Sequence, residues 1–117
     1  DINLWFGAIE RFNHCGIKKI KAIHRGFYSY YQSKYRNKPR WHLIDKFKDR
    51  FPEIDIICDP SHICGNTDLI ESVSKKAIKK GMRGLMIETH CQPDNALSDR
   101  NQQINPKQLK KLIKKIT

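Results

Sequence analysis

The stretch EIDIICDPSH, residues 53–62, contains the strand around which the rest of the chain is organised. Its positions 54–58 are apolar except for Asp55, which is the pattern of a strand buried on both faces of a parallel sheet. The strand ends in a turn that begins with Asp59 and contains His62. Because parallel α/β sheets carry their chemistry at the carboxyl ends of their strands, this turn is a candidate functional site.

Helices and strands alternate on both sides of this central strand. The spacing of apolar residues predicts helices over 3–15, 41–50, 68–80 and 106–116, and shorter apolar runs predict strands over 17–23 and 84–87. Asn66 or Thr67 is expected to cap the third helix, with Ile78 on its buried side. The alternating order leaves no room for tight hairpins, so the strands should be parallel with right-handed crossovers. The sequence therefore predicts the α/β class.

Three residues of metal-binding types follow the predicted strands. His62 follows the central strand, Glu88 ends the next strand in the triplet ETH, and Asp99 closes the tetrapeptide ALSD in the loop beyond. One imidazole and two carboxylates suit a divalent ion such as Mn²⁺, Fe²⁺ or Zn²⁺ and leave positions open for a substrate oxygen. Each residue alone also has an ordinary explanation, since His62 could cap a helix, Glu88 could pair with a lysine and Asp99 could cap a turn. Their shared position at strand ends favours a catalytic metal site.

Two arginines are candidates for binding an anion. Arg25 ends the first predicted strand, and its planar guanidinium matches the geometry of a carboxylate or a phosphate. The following Gly26 would let a ligand approach the backbone closely. A surface ion pair is the alternative for Arg25, and for Arg36 a structural role is favoured over anion binding.

Two further residues accompany His62 in the turn. Asp59 is expected to accept a hydrogen bond from the imidazole and so to orient it as a ligand. Ser61 is expected to donate a hydrogen bond to a substrate oxygen. Both residue types are also ordinary turn formers, so a purely structural role stays open for each.

Four cysteines are spread along the chain: Cys15, Cys58, Cys64 and Cys91. None shows CxxC spacing, so they are expected to be reduced thiols of a cytoplasmic protein. A structural zinc site made from cysteines with His62 and His90 is a rival arrangement, but the spacings match no finger pattern, and Cys58 lies within an apolar strand. Cys64 and Cys91 are expected to be prone to oxidation because they lie near the predicted metal site.

The charge of the chain is strongly positive, with 23 lysines and arginines against 12 aspartates and glutamates and a net charge of +11. Such an excess raises the question of a nucleic-acid partner. The lysines are spread over predicted helix faces, however, and no zinc finger or stacking-aromatic motif accompanies them, so we expect no nucleic acid to bind. The charge favours small anionic substrates instead. No apolar run reaches the roughly 20 residues of a membrane helix, so no membrane partner is expected.

Five short motifs of this chain occur in the same order in a known enzyme family. They are RGF at 25–27, YRN at 35–37, DPSH at 59–62, ETH at 88–90, and ALSD at 96–99 with a glutamine three residues on. Together they resemble the C-terminal part of 3-deoxy-D-arabino-heptulosonate 7-phosphate (DAHP) synthase, the family that opens the shikimate pathway. The resemblance extends over essentially the whole chain and is stronger to bacterial forms fused to a chorismate mutase domain.

The resemblance implies a fold and a place within it. The family folds as a (β/α)8 TIM barrel, and residues 1–117 would form the C-terminal part of this single catalytic domain, containing strands six to eight. A whole barrel takes about 250 residues, so the N-terminal part of the same barrel would have to be supplied as well. That part would bring a fourth metal ligand, a cysteine on an early strand. Residues 1–117 alone are expected to be inactive, and the complete protein is expected to be a homo-oligomer.

The resemblance also implies roles for individual residues. His62, Glu88 and Asp99 would be metal ligands, and Arg25 would bind phosphoenolpyruvate. His62 and Arg25 are the expected catalytic residues, and Ser61 and Asp99 are expected to contact substrate. The reaction would be an aldol-like condensation in which C3 of phosphoenolpyruvate attacks the aldehyde of erythrose 4-phosphate, water adds at C2, and phosphate leaves.

Two other functions stay open at this point. The first is 3-deoxy-octulosonate 8-phosphate synthase, which shares the barrel, phosphoenolpyruvate and the His, Glu and Asp layout. The sequences RGFYSYY and NALSD favour the heptulosonate enzyme over it. The second is a non-catalytic half-barrel remnant, against which the intact site positions argue. Cys91 and Arg100 depart from the residues usual in the family, and both departures concern loops rather than the expected ligands.

Overall fold

The computed structural model describes residues 1–117 and contains one parallel sheet of three strands. The strands are β1 (Lys21–His24), β2 (Asp55–Cys58) and β3 (Gly84–Leu85), and they lie side by side in chain order. Ile23 lies opposite Ile57, which in turn lies opposite Gly84. The predicted α/β class and the parallel direction of the strands are therefore confirmed.

Five α-helices connect and cover the strands. They are α1 (Ile2–His14), α2 (Trp41–Arg50), α3 (Pro60–Cys64), α4 (Ile70–Lys79) and α5 (Pro106–Ile116). Helix α5 begins with a capping box, in which the Asn105 side chain accepts from the Gln108 N–H and the Gln108 side chain accepts from the Asn105 N–H. The helices predicted over 3–15, 41–50 and 106–116 are confirmed. None of the five combines the length and apolarity that a bilayer span requires.

Helix α4 departs from its prediction. It begins at Ile70, and neither Asn66 nor Thr67 caps it with a side chain. The Asn66 side chain instead accepts a hydrogen bond from the Asp68 N–H, which stabilises a turn ahead of the helix. Ile78, predicted on the buried side, is 40% exposed.

Strand β3 is shorter than predicted, with two residues instead of four. Its partner β2 ends at Cys58, because Asp59 caps helix α3, so β3 has no neighbour along which to continue. Beyond β3, a single parallel bridge joins Thr89 to Ile104. This bridge ties the segment after β3 to the loop that precedes α5.

One face of the sheet is covered by helices. The residues of β1 and β2 that point into this core are almost completely buried: Ala22, His24, Ile56 and Cys58. Phe47 of α2 is also fully buried, and its ring centroid lies 4.3 Å from that of Trp5 in α1. Burial of this apolar surface is the main stabilising contribution to the fold.

The opposite face of the sheet is open. Ile23 of β1 is 40% exposed there, Ile57 of β2 is half-buried, and Met86 just after β3 is 45% exposed. Both β1 and β3 are edge strands. An exposed apolar face between two unpaired edges is the arrangement of part of a larger closed sheet, such as a barrel.

Candidate metal and anion site

The short helix α3 fixes the position of His62. Asp59 caps this helix: its Oδ1 accepts a hydrogen bond from the His62 N–H at 3.0 Å, and its Oδ2 lies 2.7 Å from His62 Nδ1. Because the Asp59 carboxylate is a buried acceptor, His62 Nδ1 is the nitrogen that donates to it, and Nε2 is the nitrogen directed away from Asp59. Asp59 thus makes the orienting contact predicted for it.

Glu88 lies beside the free nitrogen of His62, with its Oε1 3.5 Å from His62 Nε2. Its backbone N–H donates to Ser61 Oγ at 3.0 Å, and Gln102 Nε2 donates to its other oxygen, Oε2, at 3.0 Å. The partners of this carboxylate are therefore an imidazole and an amide, and the lysine pair considered as an alternative is not formed.

Ser61, for which a substrate contact is predicted, makes an internal contact in the structure. Its side chain is completely buried, and its hydroxyl accepts the Glu88 N–H. Ser61 instead links helix α3 to the segment that carries Glu88.

Asp99 completes the group from the loop before α5. Its φ of 50° and ψ of 36° lie in the left-handed region, which is unfavourable for a residue other than glycine and is typical of functional sites. A single 3-10 turn, Arg100–Gln102, follows directly. Asp99 Oδ1 accepts a hydrogen bond from Arg36 Nη1 at 3.0 Å, so an ion pair also holds the carboxylate in place.

The three predicted ligands are brought together. One ligand atom from each of His62, Glu88 and Asp99 lies within 4.8 Å of the other two, and no other group of three His, Cys, Asp or Glu residues in the chain does so. Donor atoms lie about 2.1 Å from an ion such as Zn²⁺, so the ligands of one ion are roughly 3 to 4 Å apart. The donor types therefore suit one divalent cation, and the 3.5 Å between His62 Nε2 and Glu88 Oε1 lies within this spacing.

The cysteines take no part in this group. Cys58 and Cys64 are buried, and burial raises the pKa of each thiol to about 12. Thiols that stay protonated are poor metal ligands and resist oxidation, which argues against the rival zinc site and against the oxidation predicted for Cys64. Cys91 is exposed, and its Sγ lies 3.9 Å from His90 Nδ1.

Arg25 forms an exposed ion pair at the same end of the sheet. Its side chain is 59% exposed, and its Nε lies 3.7 Å from Asp59 Oδ2, within ion-pair range but too far for a hydrogen bond. The surface ion pair considered for Arg25 is therefore formed, and it leaves the exposed guanidinium accessible to an anion. The role predicted for Gly26 is corrected: its φ is +81°, and a Cβ there would lie 2.6 Å from Asn37 O, so glycine permits close loop packing rather than ligand approach.

His24, at the end of β1, supports the loop that carries Arg25. Its ring lies between aromatic side chains, 6.5 Å from Trp5 and 5.5 Å from Trp41, and its Nδ1 accepts the Gly26 N–H at 3.3 Å. Burial lowers the pKa of His24 to about 4. The imidazole is therefore neutral near pH 7 and serves as a packed acceptor.

The YRN segment is bound to helix α3, which agrees with the structural role favoured for Arg36. The Arg36 N–H donates to Cys64 O at 3.2 Å, and Asn37 Nδ2 donates to His62 O at 2.9 Å. Gly65 ends the helix where a Cβ would lie 2.6 Å from Arg36 Cβ, so its lack of a side chain allows this contact. These bonds place the Arg36 guanidinium against the loop of Asp99.

Sequence reasoning missed Gln102. Its side chain is 2% exposed and lies between Arg36 and Glu88. The glutamine three residues after ALSD was visible as part of a motif, but nothing in the sequence assigned it a partner.

Comparison with known proteins identifies related sequences. The family model described as the DAHP synthetase I family matches residues 2–117. A phospho-2-dehydro-3-deoxyheptonate aldolase of Thermotoga maritima is 36% identical over 63 residues, which cover 54% of this chain and 19% of that protein. A 2-dehydro-3-deoxyphosphooctonate aldolase of Agrobacterium fabrum is 38% identical over 52 residues, which cover 44% of this chain and 18% of that protein.

Two solved structures from Thermotoga maritima share the fold. The crystal structure of its phospho-2-dehydro-3-deoxyheptonate aldolase (DAHP synthase) superposes with a TM-score of 0.88 at 27% identity, covering 99% of this chain and 34% of that chain. A truncated form of its 3-deoxy-D-arabino-heptulosonate 7-phosphate synthase gives a TM-score of 0.86 at 27% identity, covering 99% of this chain and 44% of that chain. The present chain thus spans a third to less than a half of these proteins.

Proposed function

This chain belongs to the DAHP synthetase I family, and on that basis we propose that the complete protein condenses phosphoenolpyruvate with erythrose 4-phosphate to give DAHP and phosphate. This reaction is the first step of the shikimate pathway towards chorismate and the aromatic amino acids. The sequence relative and the solved structure from Thermotoga maritima, both named for this activity, support the assignment.

The observation that carries the proposal is the convergence of His62, Glu88 and Asp99 at the carboxyl end of a parallel sheet. Their side chains would hold one Mn²⁺, Fe²⁺ or Zn²⁺ ion. When bound, the ion supplies Lewis acidity and fixes the position of the aldehyde oxygen. Asp99 would thereby lie beside the sugar substrate.

Arg25 and His62 have separate tasks in this proposal. The exposed guanidinium of Arg25 neutralises an anionic group of phosphoenolpyruvate and holds its C3 towards the aldehyde. His62 Nδ1 is occupied by Asp59, and Nε2 is the nitrogen that faces the other ligands. Ligation through Nε2 leaves His62 no free nitrogen for proton transfer, so its role is to hold the ion.

The rest of the barrel would close over the open face of the sheet. We assign β1, β2 and β3 to strands six to eight on the basis of the sequence motifs, and the superposition on 34% of a DAHP synthase is consistent with a part of such a barrel. The exposed Ile23 and Met86 would then pack inside the barrel. The N-terminal part would also bring the cysteine expected as fourth ligand, and so residues 1–117 alone would be inactive.

The alternative function is 3-deoxy-octulosonate 8-phosphate synthase, for which the sugar substrate would be arabinose 5-phosphate. The Agrobacterium fabrum relative supports it with 38% identity over a shorter segment. The family model and the whole-chain superposition both favour the heptulosonate enzyme. A non-catalytic half-barrel remnant is disfavoured because the ligand group is intact.

We further propose three properties of the complete protein. It is cytoplasmic, since its four free cysteines are the usual state of thiols in a reducing compartment, and it forms a homo-oligomer. It is fused to a chorismate mutase domain, as in the relatives that its motifs resemble most strongly. Light scattering of the whole-gene product and a chorismate turnover assay test these points.

The central experiment follows loss of phosphoenolpyruvate by the whole-gene product with Mn²⁺, offering either erythrose 4-phosphate or arabinose 5-phosphate. We expect consumption with the four-carbon sugar, abolished by a chelator and reduced at least about a thousandfold by His62→Ala. The exposed His42 provides the matched control, and His42→Ala should leave turnover unchanged.

Each other result has a definite meaning. Consumption with the five-carbon sugar alone would move the protein to the octulosonate enzyme. No consumption with either sugar would support the remnant. Turnover that survives the chelator and His62→Ala would refute the proposed metal site.

A further inference from the structure

We propose that Gln102 is a positioning residue that sets the orientation of the Glu88 carboxylate and keeps the Arg36 guanidinium away from it. The inference rests on the proposed metal site formed by Glu88 with His62 and Asp99. It concerns a residue that binds no ion itself and contacts a ligand directly.

The amide of Gln102 has only one orientation that satisfies its neighbours. Its Oε1 accepts from Arg36 Nη1 at 2.9 Å, and its Nε2 donates to Glu88 Oε2 at 3.0 Å. Arginine has donors only, and an ionised glutamate has acceptors only. Rotation of the amide by half a turn would place like groups against each other at both ends, so the hydrogen bonds fix the side chain.

This contact divides the two oxygens of Glu88 between separate tasks. Oε2 is held by Gln102, whereas Oε1 faces His62 Nε2 and the centre of the ligand group. Gln102 is 2% exposed and the hydrogen bond is partly buried, which limits competition from water. The carboxylate is therefore fixed before an ion arrives, which lowers the entropy lost on binding.

The same contact keeps the charge of Arg36 off Glu88, so that the guanidinium pairs with only one of the two carboxylate ligands, Asp99. Arg36 Nη1 carries two hydrogens, and its hydrogen bonds go to Gln102 Oε1 and to Asp99 Oδ1. Without Gln102, the guanidinium would be free to pair with Glu88 and to compete with a cation for its charge. The neutral amide of Gln102 lies between the two side chains. It holds the position of the Arg36 guanidinium without placing that charge against the Glu88 carboxylate.

The link extends to all three ligands. The backbone of Arg36 is bonded to helix α3, which carries His62, and the Gln102 N–H donates to Asp99 O at 3.1 Å across the 3-10 turn. Gln102 and Arg36 together thus join segments that are 66 residues apart in sequence. Loss of the Gln102 amide should loosen the geometry of the whole group.

The test measures metal binding by the whole-gene product rather than its turnover. The variants are Gln102→Met, which keeps the length of the side chain but removes both hydrogen bonds, and Gln103→Met as matched control. Gln103 lies in the same loop, and its side chain donates to Ser98 O instead of to a ligand. Mn²⁺ dissociation constants come from titration of the Mn²⁺ electron paramagnetic resonance signal.

We expect Gln102→Met to weaken Mn²⁺ binding by about tenfold or more, as is usual for residues that orient metal ligands, and Gln103→Met to leave it unchanged. The visible spectrum of the Co²⁺-loaded protein should shift for Gln102→Met only, because it reports ligand geometry. If Gln102→Met does not fold, Gln102→Asn keeps the amide but shortens its reach, and the same loss is expected.

The outcomes separate the inference from the proposed function. Wild-type affinity in Gln102→Met would overturn the inference while leaving the metal site intact. Equal losses in both methionine variants would also overturn it, since the effect would then belong to the fold of the loop. A wild-type protein that binds no Mn²⁺ would instead remove the metal site on which both depend.

Discussion

The two faces of the sheet differ in which part of the chain covers them. On the covered face, Ala22 and His24 of β1 are 2% and 1% exposed beneath the helices, whereas Ile23 between them is 40% exposed on the open face. The covered face is closed by residues near in sequence, which follow or precede each strand. The open face needs chain from elsewhere, and the ligand group lies at its rim. Stability thus resides mainly on one face and the proposed chemistry on the other.

The largest effect should come from the covered face. Phe47 is fully buried against Trp5 and Phe51, so Phe47→Ala should lower the free energy of unfolding by about 3 to 5 kcal/mol through lost burial and a residual cavity. Denaturant titration of the whole-gene product measures this. Leu4, 74% exposed on α1, is the control, and Leu4→Ala should change stability by less than about 0.5 kcal/mol. A loss below about 1 kcal/mol for Phe47→Ala would mean that the core does not depend on this face.

A pH dependence should also arise on the covered face. Burial lowers the pKa of His24 to about 4 in the folded state, whereas the unfolded value is near 6.5. Between these values the unfolded state binds more protons, so stability is complete above about pH 6.5 and falls as the pH is lowered towards 4. The loss should be on the order of 3 kcal/mol.

The variant His24→Asn isolates this contribution. Asparagine can accept the Gly26 N–H in place of His24 Nδ1 and does not titrate. Unfolding measured at about pH 7 and about pH 4.5 should show a smaller pH-dependent loss for His24→Asn than for wild type. His42→Asn, on the exposed side of α2, should keep the wild-type loss. An identical loss in all three proteins would show that His24 is not buried as a neutral group.

A substitution on the open face should lower the free energy of unfolding by a smaller amount. The size of this loss should depend on whether the rest of the protein is present. In residues 1–117 alone, Ile23→Ala should lower stability by less than about 1 kcal/mol, because the side chain is only partly buried. In the whole-gene product the loss should rise to about 2 kcal/mol or more, because the side chain would then pack inside a barrel. Equal small losses in both proteins would indicate that this face stays open.

The sequence specified the covered face better than the open one. Helix α2 could be predicted to the residue because its apolar spacing repeats over three turns. Helix α3 was missed, since five residues are too few for a periodic signal, and its cap and first residue, Asp59 and Pro60, also suit a turn. Exposure of Ile23 and Met86 could not be read from their apolar character.

The sequence likewise predicted the ligand residues better than the residues that hold them in place. His62, Glu88 and Asp99 could be chosen because their residue types follow strand ends. Gln102 could not be given a role, because its partner Arg36 reaches it only through the three-dimensional packing of the YRN segment on α3. The sequence therefore predicts the chemistry of the ligand group more readily than the contacts that orient it.

The smallest effect concerns the cysteines, and it tests the covered face without altering it. Burial raises the pKa of Cys58 and Cys64 to about 12, whereas Cys15 and Cys91 are exposed. Iodoacetamide at about pH 8 should therefore label Cys15 and Cys91 readily and leave the other two unmodified until denaturant is added, because the thiolate is the reactive form. Peptide mass spectrometry assigns each site. Rapid labelling of Cys58 in the native protein would mean that the covered face opens at the end of β2. Asp59, one residue later, would then lack a fixed support for orienting His62.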